Sequence, residues 1–315
     1  MKSKIKQAIV ALENDLVIAI PTETVYGLAG NAYSEKAIHS IFKMKQRPLY
    51  NPLIVHIKSI SALDTVAKDI PDAALKLAEA FWPGPLTLLL KKKSYVPDLV
   101  TAGKDTVAVR VPNHKLTLAL LNELSFPVAA PSANPFGSIS PTSATHVSNY
   151  FKDQLPLILD GGECAKGVES TIVGFENDQA ILYRHGSISI EEIESIVGKV
   201  TLNIVSDHSP SAPGMLSRHY APATPTIISE NVPSSIIEFN NKKIGLLLFQ
   251  NTLSHPSIYH QEILSKNSDL EEAAKNLYSA LHRLDEQKLD IIIAEKFPNQ
   301  GLGKTINDRL NRAAK

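Results

Sequence analysis

Short, wholly apolar runs that alternate with amphipathic stretches constrain this chain more than any other feature. LVIAI (16–20), PLIVHI (52–57), LTLLL (86–90), TVAVRV (106–111), PVAA (127–130), LPLILD (155–160), STIVGF (170–175) and AILYR (180–184) are too short for buried helices. Each predicts a covered strand. Apolar residues recur at helical spacing over 4–13, 34–45, 71–80, 114–122, 142–151 and 189–197, with Ser34 placed as an N-cap. Strands and helices in alternation predict an α/β domain with a partly parallel, mostly covered sheet. The pattern breaks at SDHSPSAPGMLSRHYAPATP (206–225), where Pro210, Pro213, Pro222 and Pro225 leave no apolar period. That segment predicts an extended linker. Beyond it, IGLLLF (244–249), a helix at 269–284, DIIIAE (290–295) and a helix near 304–313 predict a second, small α/β domain. The expected division is therefore 1–205, a linker over 206–225, and 226–315.

Charge and cysteine content remove several classes of function. The 315 residues carry 32 basic and 32 acidic side chains, divided 20 and 20 up to residue 200 and 12 and 12 after it. Neither part is a basic arm, which argues against holding nucleic acid by bulk charge. A single cysteine, Cys164, rules out an internal disulfide and a cysteine-rich zinc site, and fits a reducing cytosol. The first twenty residues lack a secretory pattern, and no run approaches the ~18 apolar residues of a membrane span. The expectation is a cytoplasmic protein with no membrane partner.

The polar residues collect at strand ends, where open α/β sheets bind ligands. PTETVYGLAG (21–30) follows a strand directly and brings Thr22, Thr24, Gly27 and Gly30; an ordinary turn is the plain alternative. In KMKQRPLYNPLIVHI (43–57), Lys45 and Arg47 lie two apart and could face one anion, or form a solvated basic loop. Arg110 lies in a strand, on the face of Thr106 and Ala108, and a buried guanidinium needs an anionic partner. That partner is either a structural carboxylate or a ligand. PSANPFGSISPT (131–142) and DGGECAKGVESTIVGF (160–175) supply further short hydroxyls and glycines without a P-loop pattern. Cys164 reads as a small loop residue rather than a nucleophile. Together the loops predict one polar cleft for an anionic, phosphate-bearing small molecule.

PTETVYGLAGNA, KMKQRPLYNPLIVHI, FWPGPLTLLL, VAVRVP, PSANPFGSISPT, DGG, GVESTIV and RHGSI, in that order, resemble the YrdC-like family of threonylcarbamoyl-AMP synthases. APGMLSRHYAPATP (212–225) resembles the linker of its longer, two-domain branch. The resemblance implies an open twisted YrdC-like sheet with helices, joined by the Pro-rich linker to a small Rossmann-like α/β domain. It implies a nucleotidyltransferase that makes threonylcarbamoyl-AMP, pyrophosphate and water from L-threonine, bicarbonate and ATP. A downstream transferase system would then modify tRNA. By resemblance, Thr24, His56, Arg110, Ala130 and Ser170 contact threonine. Arg47, Asn51, Thr106, Ser132, Asn134, Ser140, Arg184 and Tyr220 contact ATP, and Lys45 and Arg47 serve catalysis near the phosphates. Mg2+ is expected with the ATP, but no carboxylate cluster identifies its ligands. His185 stands where the family often has proline. The main alternative is an RNA-binding module that uses the same cleft without catalysis.

The linker carries Met215, Leu216, His219 and Tyr220, side chains that a tether does not need. It is expected to fold back over the cleft as a lid, with Tyr220 near the nucleotide.

Overall fold

The apolar runs become strands wherever helices can cover one of their faces. The computed structural model describes residues 2–176, 179–204, 210–217 and 219–314; residues 206–209 and 218 of the expected linker lie outside them. The first domain runs α1 (Lys2–Glu13), β1 (Ile18–Ile20), β2 (Gly27–Asn31), α2 (Glu35–Lys45), β3 (Ile54–His56), α3 (Asp72–Phe81), β4 (Leu86–Lys91), α4 (Asp98–Thr101) and β5 (Thr106–Arg110). It continues with α5 (Lys115–Glu123), β6 (Val128–Ala129), α6 (Ala144–Phe151), β7 (Thr171–Glu176), β8 (Gln179–Arg184), α7 (Ile190–Val197) and β9 (Thr201–Leu202). Ser34 caps α2 as expected, its hydroxyl accepting from the Ala37 amide at 3.2 Å.

These strands form one mixed sheet in the order β1-β2-β6-β3-β5-β4-β7-β8-β9. The pairs β3–β5, β4–β7 and β8–β9 are parallel; the others are antiparallel. One face is thickly covered. Val55, Leu88, Val107, Val109 and Val173 pack there with Ile38 and Ile41 of α2, Leu77 of α3 and Ile193 of α7. The other face carries Ile54, Leu89, Ala108, Ile172, Ile181 and Tyr183, and its cover includes Ala212 and Met215 of the linker. Alternation along β3 and β5 places His56 and Arg110 on that second face, beside Ile54 and Ala108.

The second domain runs β10 (Thr226–Ser229), α8 (Val232–Glu238), β11 (Ile244–Leu248), β12 (Ile258–Ile263), α9 (Leu270–Asp285), β13 (Ile291–Glu295) and α10 (Leu302–Ala313). Its sheet is parallel throughout, in the order β10-β13-β11-β12. The domains pack closely. A Cβ added at Gly167 would lie 2.0 Å from the Lys275 carbonyl oxygen of α9, so the two backbones meet where only glycine fits.

Several expectations require correction. LPLILD (155–160) makes only an isolated bridge, Ala19 with Ile158, and no strand. The expected ligand loop 21–30 ends early, because its last residues form β2 against β1 and β6. The first sheet extends to Leu202 through β9. No helix among the described residues is long and apolar enough to cross a membrane.

Candidate active site

The strand-end loops converge on a cleft whose lining holds two groups: Thr24, His56 and Arg110, and Arg47, Arg184 and Tyr220, which lie near enough to act on one another's charge. Ala130, Ser132 and Ser170 lie along it, as do Glu169, Pro213, Gly214 and His219. Each side chain arrives there for a local reason. The Thr22 hydroxyl donates to the Val25 carbonyl at 2.7 Å and accepts from the Thr24 and Val25 amides, which turns the chain and presents Thr24. Thr24 Oγ1 accepts from Arg110 Nη1 at 2.9 Å. Arg110 also donates through Nε to the Gly84 carbonyl and through Nη2 to Glu23 Oε1 at 2.6 Å. The sequence left Arg110's partner open; Glu23 is the structural carboxylate, and the guanidinium still lines the cleft.

Arg47 donates to the Asn51 carbonyl, to Asn51 Oδ1 at 2.6 Å and to the Pro52 carbonyl. Burial, helped by Arg184, pushes its pKa down to about 9, which leaves it charged at neutral pH, and no carboxylate among the described residues pairs with it. A cation so placed favours an anionic ligand. Arg184 donates to the Ser170 carbonyl and hydroxyl and to the Pro213 carbonyl of the linker, so it ties β8, the loop before β7 and the linker together. The backbone makes this packing possible. A Cβ at Gly186 would lie 2.3 Å from Ser170 C and Thr171 N. His185 does not displace Arg184 from the cleft, and its carbonyl accepts from Arg309 Nη2 at 2.6 Å.

Two cleft histidines are neutral. Burial, with Arg110 nearby, lowers His56 to about 3, and burial lowers His219 well below the usual range. The buried side-chain polar atoms without a partner, among the described residues, are His56 Nδ1, His219 Nδ1, Asn51 Nδ2 and Asn134 Oδ1. All four belong to the cleft wall or to the loops behind it. Buried polar atoms are rarely left bare in folded proteins, so their collection here marks a place prepared for a ligand.

Five of the expected residues stand outside the lining: Lys45, Asn51, Thr106, Asn134 and Ser140. Lys45 is fully buried, and its Nζ donates to the Ser132 and Asn134 carbonyls, so it braces the PSAN loop. Burial, with Arg47 beside it, lowers its pKa well below the usual lysine range. Asn51 acts on Arg47, and Asn134 Nδ2 donates to the Pro135 and Ser138 carbonyls. Ser140 Oγ donates to Glu169 Oε1 at 2.6 Å. Thr106 begins β5, four residues before Arg110. Cys164 is buried and its thiol is pushed up to about 12, mainly by burial, which suits a loop residue and not a nucleophile.

The sequence reading passed over Glu23 and Glu169, and it marked His219 only as a large side chain of the linker. Glu169 sits inside GVESTIV, and an acid at the edge of an apolar run was the available signal. Burial raises its pKa, but Arg309, then Arg184 and the Ser140 hydroxyl, outweigh this and hold it at about 2. No group of three or more His, Cys, Asp or Glu among the described residues could hold a metal ion.

Comparison with known proteins agrees with this arrangement. The Sua5–YciO–YrdC family model, described as telomere recombination, matches residues 10–186. The model for the C-terminal domain of threonylcarbamoyl-AMP synthase matches residues 188–315. Threonylcarbamoyl-AMP synthase of Pyrococcus abyssi is 40% identical over 325 residues, which cover 99% of this chain and 94% of the relative. That of Bacillus subtilis is 41% identical over 321 residues, covering 99% and 93%. The crystal structure of P. abyssi Sua5 complexed with L-threonine superposes with a TM-score of 0.92 at 39% identity, covering 100% of this chain and 95% of that one. Escherichia coli YciO shares the fold of the first domain, with a TM-score of 0.53 at 24% identity.

Proposed function

The chain belongs to the Sua5/YrdC family in its two-domain form, and we propose that it is a threonylcarbamoyl-AMP synthase that joins L-threonine, bicarbonate and ATP. The observation that carries the reading is that one cleft brings two sets of polar side chains together. In the first set, at what we read as the amino-acid end, Arg110 and Thr24 are hydrogen-bonded to each other near the neutral His56; in the second, read as the nucleotide end, Arg47 and Arg184 line the wall. The first end suits an amino acid: a guanidinium for the carboxylate, and an imidazole nitrogen able to accept from the ammonium or hydroxyl. The second end suits phosphates.

The chemistry asks for placement more than for covalent help. The threonine amine attacks bicarbonate, water leaves, and the resulting carbamate oxygen attacks the α-phosphorus as pyrophosphate departs. Alignment and cationic stabilisation of the phosphates supply most of such a rate. Magnesium is proposed to arrive on the ATP phosphates and to neutralise charge there, with oxygens of the nucleotide and water as its main ligands. Glu169, the carboxylate in the lining, is already held by Arg309, Tyr278 and Ser140. Pro213, Gly214, His219 and Tyr220 line the same cleft, with Arg184 bonded to the Pro213 carbonyl, and in this reading they would keep water from a labile carbamoyl-adenylate. The product is an activated threonylcarbamoyl group, and the reading extends to its use by a transferase on tRNA in the cytoplasm.

The test is pyrophosphate release by the purified protein. It should require threonine and bicarbonate together with ATP, in the absence of RNA, and should yield an AMP-containing adduct. Release that is indifferent to omission of threonine would overturn the reading.

A further inference from the structure

The Glu169 carboxylate ties the second domain into the cleft. Its Oε1 accepts from Ser140 of the first domain; its Oε2 accepts from Tyr278 Oη of α9 at 2.9 Å and from Arg309 Nε of α10 at 2.8 Å. We propose that Arg309 and Tyr278 are positioning residues of the nucleotide end of the cleft, holding the Glu169 carboxylate and the Tyr220 ring in place for ATP. The inference rests on the reading of that end as an ATP site.

Arg309 is fully buried, and each of its guanidinium nitrogens has a protein partner: Glu169 for Nε, Asp308 for Nη1 and the His185 carbonyl for Nη2. Unlike Arg110, whose nitrogens are also held, it is not part of the cleft lining, so it acts through other residues and not as a ligand clamp. Spacings of four and three put Thr305, Arg309 and Arg312 on one helix face. That face meets the first domain and the linker, with Thr305 Oγ1 donating to the Gly186 carbonyl at 2.9 Å and Arg312 donating to the Leu216 and Ile204 carbonyls.

The same two residues frame Tyr220. The Arg309 guanidinium carbon lies 4.7 Å from the Tyr220 ring centroid, and the Tyr278 ring stacks on it at 5.8 Å and 29°. Tyr220 has φ of +64°, a conformation a bulky side chain rarely keeps without such support.

Charge gives the pairing its purpose. Glu169 lines the cleft together with Arg47 and Arg184. A bare carboxylate there would offset the attraction these arginines offer to phosphates, whereas a carboxylate paired with Arg309 does not. The groups that face Glu169 are Arg309, Arg184, Tyr278, Tyr220, His219 and Ser140. With Arg309 gone, burial dominates and the carboxyl takes up a proton at a higher pH.

The test is calorimetric binding of a non-hydrolysable ATP analogue and of L-threonine to the full chain. Arg309→Met should weaken the analogue by about tenfold or more at about pH 8, with threonine affinity within about twofold of the parent protein. The deficit relative to the parent should shrink as the pH falls toward about 5.5, because protonation removes the uncompensated charge. Glu169→Gln added to Arg309→Met should restore most of the analogue affinity at about pH 8. Tyr278→Phe, a milder change, should weaken the analogue severalfold and leave threonine alone; it carries the test if Arg309→Met does not fold. Unchanged analogue affinity, or equal loss of both ligands at every pH, would overturn the proposal. Failure of the parent protein to bind the analogue would instead overturn the reading of the cleft as an ATP site.

Discussion

Arg110 shows how far a single residue can be read before its neighbours are known. Its place in TVAVRV fixes which face it occupies and demands an anion. The identity of that anion was not legible, because Glu23 comes from a loop 87 residues earlier in the chain. The structure makes Arg110 a shared group: Glu23 holds it, Thr24 accepts from it, and it still lines the cleft. Arg110→Ala should therefore lower L-threonine affinity about tenfold to a hundredfold, the worth of a charged hydrogen bond, and leave ATP affinity nearly unchanged. It should also destabilise the fold by roughly 3–5 kcal/mol, because Glu23 would stay buried without its cation. Arg47→Ala should show the reverse preference and weaken ATP. Separate titrations of the two ligands, well below each variant's melting temperature, decide the matter. Equal loss of both ligands in both variants would mean that the cleft has no such division.

At the scale of elements, strands with continuous apolar runs were legible and those without were not. β2 is read as a loop because GLAGN has two glycines, yet Gly30 is there to admit α2: a Cβ would meet Ile41 Cδ1 at 3.1 Å and Ala37 Cβ at 3.3 Å. β12 lies at the edge of its sheet, and IYHQEI is only partly buried, so no apolar signal marks it. LPLILD has a strand's composition, but its one ladder contact is with β1, so composition exceeds pairing. The linker was legible as a break, and its large side chains led to the expectation of a lid, which Tyr220→Ala tests. In the described part, Met215 and Leu216 are buried, Tyr220 is 1% exposed, and the Ala221 amide donates to the Gly137 carbonyl. Gly214, with φ of +85°, leaves room for Arg184 Cδ and Tyr220 Oη, which a Cβ would approach to 2.8 and 2.9 Å. Tyr220→Ala should release carbamoyl-adenylate, or its hydrolysis products, severalfold faster than the parent protein while threonine still binds. Proteolysis within 206–225 should slow when ATP and threonine are both present. A linker cut at one rate with and without ligands, in a variant that leaks no faster, would be a tether.

For the whole molecule, the consequence of a buried cleft wall in the first domain and a closely packed boundary with the second is a set of titratable groups shut away from water. Burial, with Arg110 close by, holds His56 at about 3, and burial with His146 close by holds His282 at about 4. His282 stacks on His146 at 3.9 Å across the domain boundary and faces the Ser140 carbonyl, so a proton on His282 meets the His146 ring, and one on His146 meets Arg283. An unfolded histidine titrates near about 6.5. Between that pH and about 4 or 3 the unfolded chain binds protons that the folded chain refuses, so stability must fall as the pH falls through this window. Glu169 adds a later loss: its contribution is whole above the ordinary carboxylate value of 4.5 and disappears as the pH drops toward about 2. Since the Glu169–Arg309 and His146–His282 contacts both join the domains, acid should separate the domains before it melts either sheet. Urea midpoints measured from about pH 8 down to about pH 4 should hold steady above about 6.5 and decline below it. His282→Gln should flatten the upper part of that decline, because the stacked ring that resists protonation is gone. A midpoint independent of pH across the window would show that these histidines exchange protons equally in the folded and unfolded chain, and that the interface is not what makes them acid-sensitive.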